Sequence, residues 1–136
     1  MSRPLNGISV LDLGQIYQGG YCGLLLSYLG ADVVKVEPPW GENVRTRSED
    51  GTPPQVQFLN ANKRGVTLDL TSEAGREALV DLAAEADVLL ENFLTGKMEN
   101  WELATTFSAR QVRSSCTRTA PATATQVPTP TIRRWI

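Results

Sequence analysis

The first part of the chain alternates short apolar runs with longer segments of helical spacing. The apolar runs are rich in Val and Leu, which is typical of strands buried on both faces of a sheet. In chain order they are GISVLDL, DVVKVE, GVTLDL and DVLLENF. Strands that alternate with helices predict an α/β fold, in which a parallel sheet carries helices on its faces and the crossovers are right-handed.

Two of the intervening segments have clear helix signals. The segment GGYCGLLLSYLGAD has apolar residues at helical spacing, namely Tyr21, Leu24, Leu25, Tyr28 and Leu29. Gly30 follows them at the position where glycine favours a helix C-terminus. The segment TSEAGREALVDLAAEAD begins with Thr71 or Ser72 as its predicted N-cap. Its predicted buried stripe consists of Leu79, Leu82, Ala83 and Ala86.

A long loop follows the second predicted strand, because prolines and glycines interrupt PPWGENVRTRSEDGTPP. The loop carries Arg45 and Arg47 near the carboxyl end of that strand, the edge at which ligands of open α/β sheets bind. These two cations fit either an anionic ligand or an ordinary solvated loop.

The composition changes abruptly after Leu103. Residues 104–136 contain five Arg and no Lys, Asp, Glu or Gly. Residues whose codons have C or G in the middle position make up 26 of these 33 residues but only 41 of the first 103. The pattern predicts regular strands and helices up to Leu103 and an irregular basic tail over 104–136. One interpretation is an out-of-frame remnant that starts between Ala104 and Arg113, and the other is a native disordered extension.

Length and composition exclude several classes of protein. A chain of 136 residues suits one domain, and its net charge of −2 does not suit a dedicated nucleic-acid binder. No apolar stretch approaches the roughly 20 residues that cross a membrane, and no secretory signal is evident, so we expect a cytoplasmic protein. The absence of His removes His-based catalysis, and no metal site is predicted. Cys22 and Cys116 lie on opposite sides of the compositional change and are expected to be free thiols.

Two stretches offer candidate chemistry. The turn DLGQIYQGGYCG is rich in glycine but matches neither G-x-G-x-x-G nor a P-loop, so it fits phosphate binding or close helix–strand packing. Asn92 and Phe93 follow the fourth predicted strand. An amide offers a donor and an acceptor, and a phenyl ring can stack on a purine, although both residues also suit a strand-end turn and a core.

The motifs LGADVVKVE, NKR…LDL and ADVLLENF, in this order and spacing, resemble the N-terminal part of class III CoA-transferases over residues 4–103. That family includes CaiB, BaiF, formyl-CoA transferase and alpha-methylacyl-CoA racemase. The resemblance implies a Rossmann-like domain that binds coenzyme A, with acyl-CoA and a carboxylic acid as substrates. It also implies interlocked homodimers at full length, and an Asp nucleophile that forms a mixed anhydride and then an enzyme–CoA thioester.

The same resemblance implies which residues contact coenzyme A. They are Tyr17, Gln18, Leu68, Asp69, Leu70, Thr71, Asn92, Phe93 and Leu94. The sequence departs from formyl-CoA transferase, which has Gln at the position of Tyr17. That enzyme also has cationic residues that contact coenzyme A at the positions of Pro38, Thr71 and Asn100, and all three cations are missing here. Arg45, Arg47, Lys63 or Arg64 are the candidates to replace those cations.

The segment that supplies the nucleophile in this family has no counterpart after Leu103. The tail has no Asn-Pro-Arg segment, no Gly-Phe-Gly turn and no acidic residue. No catalytic residue is therefore assigned, and the chain is expected to be inactive alone. The alternatives are a non-catalytic module that binds coenzyme A or a nucleotide, a fragment of an acyl-CoA racemase, and a misfolding-prone product without function.

Overall fold

The computed structural model describes residues 3–47, 52–103, 106–107 and 117–118. Four strands form a parallel sheet in the order β3-β2-β1-β4, which confirms the predicted α/β fold. The strands are β1 Ser9–Asp12, β2 Asp32–Glu37, β3 Arg64–Thr67 and β4 Val88–Glu91. A two-residue strand, β5 Thr117–Arg118, pairs with β4 in parallel. Nearly all of the predicted irregular tail lies outside the described residues, and β5 is a regular element within it.

The chain moves outward from β1 through β2 to β3 and then returns to place β4 on the other side of β1. The strand order therefore reverses between β1 and β4. A crevice forms at such a reversal, outside the carboxyl ends of the strands, because successive connections leave in opposite directions.

The helices α1 Gln18–Tyr28, α2 Pro54–Leu59, α3 Glu73–Ala84 and α4 Lys97–Asn100 accompany the sheet. The predicted long loop contains a 3-10 helix over Arg45–Arg47. The last residue of the predicted loop, Pro54, is the first residue of α2, because the fixed φ of proline suits the first helical turn. Ser72 caps α3, since its hydroxyl oxygen accepts a hydrogen bond from the Gly75 amide at 3.1 Å.

Helix α1 approaches the sheet through its small residues. Its buried positions are Gly19, Gly20, Gly23, Leu24 and Ser27. Of the apolar residues whose spacing predicted the helix, only Leu24 is buried, whereas Tyr21 and Tyr28 are 49% and 56% exposed. The face of α1 that carries the glycines packs on the sheet, because the chain there comes so close that a Cβ on Gly14 would lie 2.7 Å from the Gly19 backbone. Contact this close leaves no room for larger side chains on that face.

The core lies on both faces of the sheet. Helix α3 covers one face through Leu79, Val80, Ala83 and nearby Ala86, against Leu11, Leu13, Val36, Leu89 and Leu103. Val10, Ala31, Val33 and Leu90 form the second cluster. The predicted burial of Leu82 is wrong, since that side chain is 38% exposed and Val80 is buried instead. Each fully buried aliphatic side chain stabilises the fold by about 1.5–3 kcal/mol.

Within the described part of the chain, no helix has the length and apolar character that a membrane span requires.

Candidate functional site

A cleft of about 610 Å³ opens at the carboxyl edge of the sheet, where the strand order reverses. Its walls come from the segments that follow β1, β2, β3 and β4, together with α4. Most of the lining is apolar, including Leu13, Val36, Leu68, Leu70, Phe93, Leu94 and Trp101. A largely apolar cleft of this size with a few polar groups is typical of a small-molecule site.

A buried ion pair fixes the turn that follows β1. The Lys63 ammonium lies 2.7 Å from Asp12 Oδ2, and both side chains are fully buried. Lys63 also donates to the Gly20 carbonyl at 2.9 Å. The other Asp12 oxygen accepts a hydrogen bond from the Gly14 amide at 2.7 Å. Burial lowers the pKa of Lys63, and the neighbouring Asp12 carboxylate opposes that shift.

The same turn is held from the other side by Asn92, which follows β4. Its Oδ1 accepts a hydrogen bond from the Gln15 amide at 2.6 Å, and its Nδ2 donates to the Gln15 carbonyl at 2.9 Å. The next residue, Ile16, has a φ of 57°, a conformation that costs a β-branched residue free energy. Asn92 therefore holds a strained turn in place beside the cleft, in addition to lining it.

Aromatic residues form the wall near α4. The Phe93 and Trp101 rings meet edge to face with their centroids 5.3 Å apart. The Lys97 ammonium lies 4.5 Å from the centroid of the Trp101 ring. Since Lys97 and both rings line the cleft, this wall combines flat apolar surface with one positive charge.

Two ion pairs join β2 to the loop that follows it. Arg45 donates from Nε and Nη2 to the two oxygens of Glu37, at 2.6 and 2.7 Å. These hydrogen bonds lower the pKa of Glu37, against the effect of its burial. Lys35 lies 3.3 Å from the buried Glu42 carboxylate and also donates to the Gly14 carbonyl. Glu37 and Glu42 both line the cleft.

The turn between β3 and α3 supplies the remaining wall. Leu68, Leu70 and Thr71 line the cleft. The Asp69 carboxylate instead accepts hydrogen bonds from the Thr71 hydroxyl and amide, at 2.6 and 2.9 Å. Those bonds lower the pKa of Asp69.

The structure brings most of the predicted contact residues together. Gln18, Leu68, Leu70, Thr71, Asn92, Phe93 and Leu94 all line the cleft. Asp69 and Tyr17 are not part of its lining, and Tyr17 faces Arg47, whose guanidinium carbon lies 5.8 Å from the ring centroid. Their role as contacts stays a prediction.

None of the four suggested replacement cations is part of the cleft lining. Arg45 pairs with Glu37, and Arg47 faces Tyr17. Lys63 is buried against Asp12, and Arg64 pairs with Asp32 where β2 and β3 begin, at the opposite edge of the sheet. The sequence interpretation missed Lys97, which lies one helical turn before Asn100, at a spacing that puts both residues on one side of α4. It also missed the Lys63–Asp12 pair, because no local pattern joins residues so far apart in the chain.

Comparison with known proteins gives this cleft a context. Residues 5–112 match the model of CoA-transferase family III. The chain is 41% identical over 105 residues to succinyl-CoA:mesaconate CoA-transferase of Haloarcula hispanica, covering 72% of this chain and 26% of that protein. It is 40% identical over 104 residues to formyl-CoA:oxalate CoA-transferase of Streptomyces avermitilis, covering 73% of this chain and 25% of that protein.

Solved structures agree in fold. The Rv3272 protein of Mycobacterium tuberculosis superposes with a TM-score of 0.76 at 37% identity, covering 85% of this chain and 33% of that one. A CAIB/BAIF family protein of Brucella suis gives a TM-score of 0.75 at 36% identity, covering 81% and 31%. The chain thus spans about a quarter of the length of the curated relatives it matches. Since the family model matches most of the chain, this protein belongs to CoA-transferase family III.

Proposed function

We propose that this chain is the coenzyme A-binding N-terminal part of an acyl-CoA:carboxylate CoA-transferase. The observation that carries the proposal is the cleft, where residues matched to the coenzyme contacts of the family converge from separate segments of the chain. Ligands of open α/β sheets bind at this edge, where the strand order reverses.

The lining suits the parts of coenzyme A. Phe93 and Leu70 offer apolar surface for the adenine and the pantetheine arm, and the Thr71 hydroxyl and Gln18 amide offer hydrogen bonds. The Lys97 ammonium is a cation for the phosphates. An acyl-CoA is therefore the ligand that we assign to the cleft, and no metal takes part in the assignment.

We propose further that the chain binds without catalysing transfer on its own. Transfer in this family begins with attack by a free carboxylate on the acyl-CoA carbonyl. Both acids that line the cleft are held in ion pairs, Glu37 with Arg45 and Glu42 with Lys35. The Asp12 carboxylate is fully buried against Lys63. No nucleophile is therefore assigned within the described residues. The family resemblance implies an Asp in a later segment, and residues 104–136 contain no acidic residue that could replace it.

The alternative from a different class is a non-catalytic module that binds coenzyme A or a nucleotide and works with another chain. The observation in its favour is that both acids in the described cleft lining are held in ion pairs, so the cleft offers surface for binding without a free carboxylate. A fragment of an acyl-CoA racemase would share the cleft and differ only in the reaction.

Isothermal titration of the purified 136-residue chain with coenzyme A tests the binding proposal. Saturable heat is expected, and Leu94→Glu should weaken binding about tenfold, because it puts a negative charge at the cleft beside the phosphates. Leu82→Glu is the matched control, since Leu82 lies on α3 outside the cleft lining and makes the same charge change. The absence of saturable binding would refute the proposal.

Assays of the same preparation test the catalytic part. Exchange of coenzyme A between succinyl-CoA and free carboxylic acids is expected to stay at the uncatalysed rate, as is racemisation of a 2-methylacyl-CoA. Turnover in either assay would contradict the proposed inactivity and would identify which reaction the chain supports.

A further inference from the structure

The end of β2 carries an acid–arginine pair beside the cleft. Glu37 is the last residue of β2 and lines the cleft, and Arg45 binds both of its oxygens. In Rossmann-type sheets the end of this strand is where an acid bonds a ribose hydroxyl or an arginine accepts a ribose phosphate. Here both residue types lie together. Neither is among the nine contacts that the family resemblance implies, although Arg45 is one of the candidates to replace the missing cations.

The loop between the two residues builds the pair. Gly41 has a φ of +79°, and a Cβ at that position would lie 2.6 Å from Arg45 Cδ, so the arginine stem packs across the glycine. Gly41 itself lines the cleft. Arg45 is not itself part of the cleft lining, but its side chain packs on one lining residue, Gly41, and binds another, Glu37.

The pair has unused hydrogen-bonding capacity. A guanidinium has five N–H donors, and Glu37 takes two of them. Among the described residues no other group accepts a hydrogen bond from the Arg45 guanidinium, and the Arg45 side chain is 37% exposed. A carboxylate has about four acceptor positions, and Glu37 uses them for two Arg45 donors and for the Glu42 backbone amide, which leaves about one. Free donors therefore lie directly beside a free acceptor.

This arrangement complements two substituents on neighbouring ribose carbons, one a hydroxyl and the other a phosphate. Coenzyme A has such a ribose, with a 2′-hydroxyl and a 3′-phosphate. We infer that the Glu37–Arg45 pair binds the phosphorylated ribose of the coenzyme, with Arg45 donating to the 3′-phosphate and Glu37 accepting from the 2′-hydroxyl. The inference rests on the proposed function, because it specifies how the same cleft recognises its ligand.

Titration of the full chain with coenzyme A and with 3′-dephospho-coenzyme A tests the arginine. The unsubstituted protein should bind coenzyme A about tenfold more tightly than the dephospho form, since charge-assisted hydrogen bonds to phosphate are strong. Arg45→Gln should remove that preference and leave the affinity for the dephospho form within about twofold.

Arg64→Gln is the matched control. Arg64 makes the same bidentate contact with Asp32, at 2.9 and 2.5 Å, but at the opposite edge of the sheet. It should leave the preference for coenzyme A unchanged. Where Arg45→Gln fails to fold, the double substitution Glu37→Gln with Arg45→Gln replaces the ion pair by neutral amides and should lose the preference in the same way.

Adenosine 3′,5′-bisphosphate and its 2′-deoxy analogue test the carboxylate. The unsubstituted protein should bind the ribose form about threefold or more tightly than the deoxy form, and Glu37→Gln should reduce that ratio.

The outcomes separate the inference from the proposed function. Saturable coenzyme A binding without a preference over the dephospho form overturns the inference and leaves the proposed function standing. An equal loss of preference in Arg45→Gln and Arg64→Gln overturns it too, as does equal binding of the ribose and deoxy nucleotides. If coenzyme A itself does not bind, the proposed function fails first.

Discussion

The Lys63 ammonium and the Asp12 carboxylate form a fully buried ion pair, 2.7 Å apart, beneath the glycine-rich turn. Lys63 precedes β3 and Asp12 ends β1, so the pair joins two strands that are not neighbours in the sheet. Because Lys63 also holds the Gly20 carbonyl, the pair links the sheet to the first turns of α1. The glycines of this turn thus allow a charged group to reach beneath the helix.

Removing one partner of this pair is expected to be costly. Lys63→Met should lower the free energy of unfolding by about 3–5 kcal/mol, because it leaves the Asp12 carboxylate buried without a counter-charge. Urea denaturation followed by circular dichroism measures the change. Arg64→Met is the control, since its pair with Asp32 is exposed and should contribute no more than about 1 kcal/mol. Equal losses in the two variants would contradict the structural role of the buried pair.

The double variant Asp12→Asn with Lys63→Met refines this test. Neutralising both partners removes the unpaired buried charge, so the double variant should be more stable than Lys63→Met alone. The single variant Asp12→Asn completes the comparison. A double variant that loses the sum of the two single effects would show that the residues act independently.

Gly19 and Gly65 are matched positions for testing the close approach of α1. A Cβ on Gly19 would lie 2.5 Å from Gly14 Cα and 3.0 Å from Asn92 Oδ1, whereas a Cβ on Gly65 meets nothing within 4 Å. Gly19→Ala should therefore destabilise the fold by about 1–3 kcal/mol, because the contact is with backbone that cannot move aside. Gly65→Ala should be neutral or should stabilise by up to about 1 kcal/mol. Thermal denaturation of both variants measures the difference, and similar melting temperatures would contradict the packing argument.

The strands and the cleft edge were predictable from the sequence because they follow from short-range pattern. Apolar runs such as DVVKVE specify buried strands, and alternation with helices specifies where their carboxyl ends meet. The burial of α1 was not predictable in this way. Its larger residues have helical spacing, but the contact between Gly14 and Gly19 selects the glycine face, and that contact exists only after the chain folds. The partners of Lys63 and Arg45 likewise depend on tertiary geometry.

Asn92 is expected to contribute to stability as well as to the cleft. Asn92→Ala should lower the free energy of unfolding by about 1–3 kcal/mol, because the amide and carbonyl of Gln15 both lose their side-chain partner. Asn92→Asp keeps an acceptor for the Gln15 amide but loses the donor to its carbonyl, so its loss should be intermediate. Chemical denaturation ranks the variants. An unchanged stability in Asn92→Ala would mean that water replaces these bonds and that the residue serves only the ligand.

The Glu37–Arg45 pair predicts a dependence of stability on pH. The pKa of Glu37 is lowered in the folded chain, chiefly by the hydrogen bonds from Arg45, so the unfolded chain binds its proton more readily. The contribution of Glu37 to stability is therefore fully present above the unfolded pKa of about 4.5, and it is lost as the pH falls through the lower folded value. The urea concentration at the midpoint of unfolding should decrease as the pH is lowered from about 6 to about 3. Glu37→Gln should remove part of that decrease.

Asp32→Asn is the control for this dependence. The Asp32 carboxylate makes a similar bidentate contact with Arg64, but both side chains are more than half exposed, so water screens the pair. Its substitution should leave most of the acid-induced fall in the urea midpoint in place. If Asp32→Asn flattens the profile as much as Glu37→Gln does, the loop after β2 gains no particular stability from its ion pair. A flatter profile in Glu37→Gln alone would show that the pair holds the loop closed against the sheet at neutral pH.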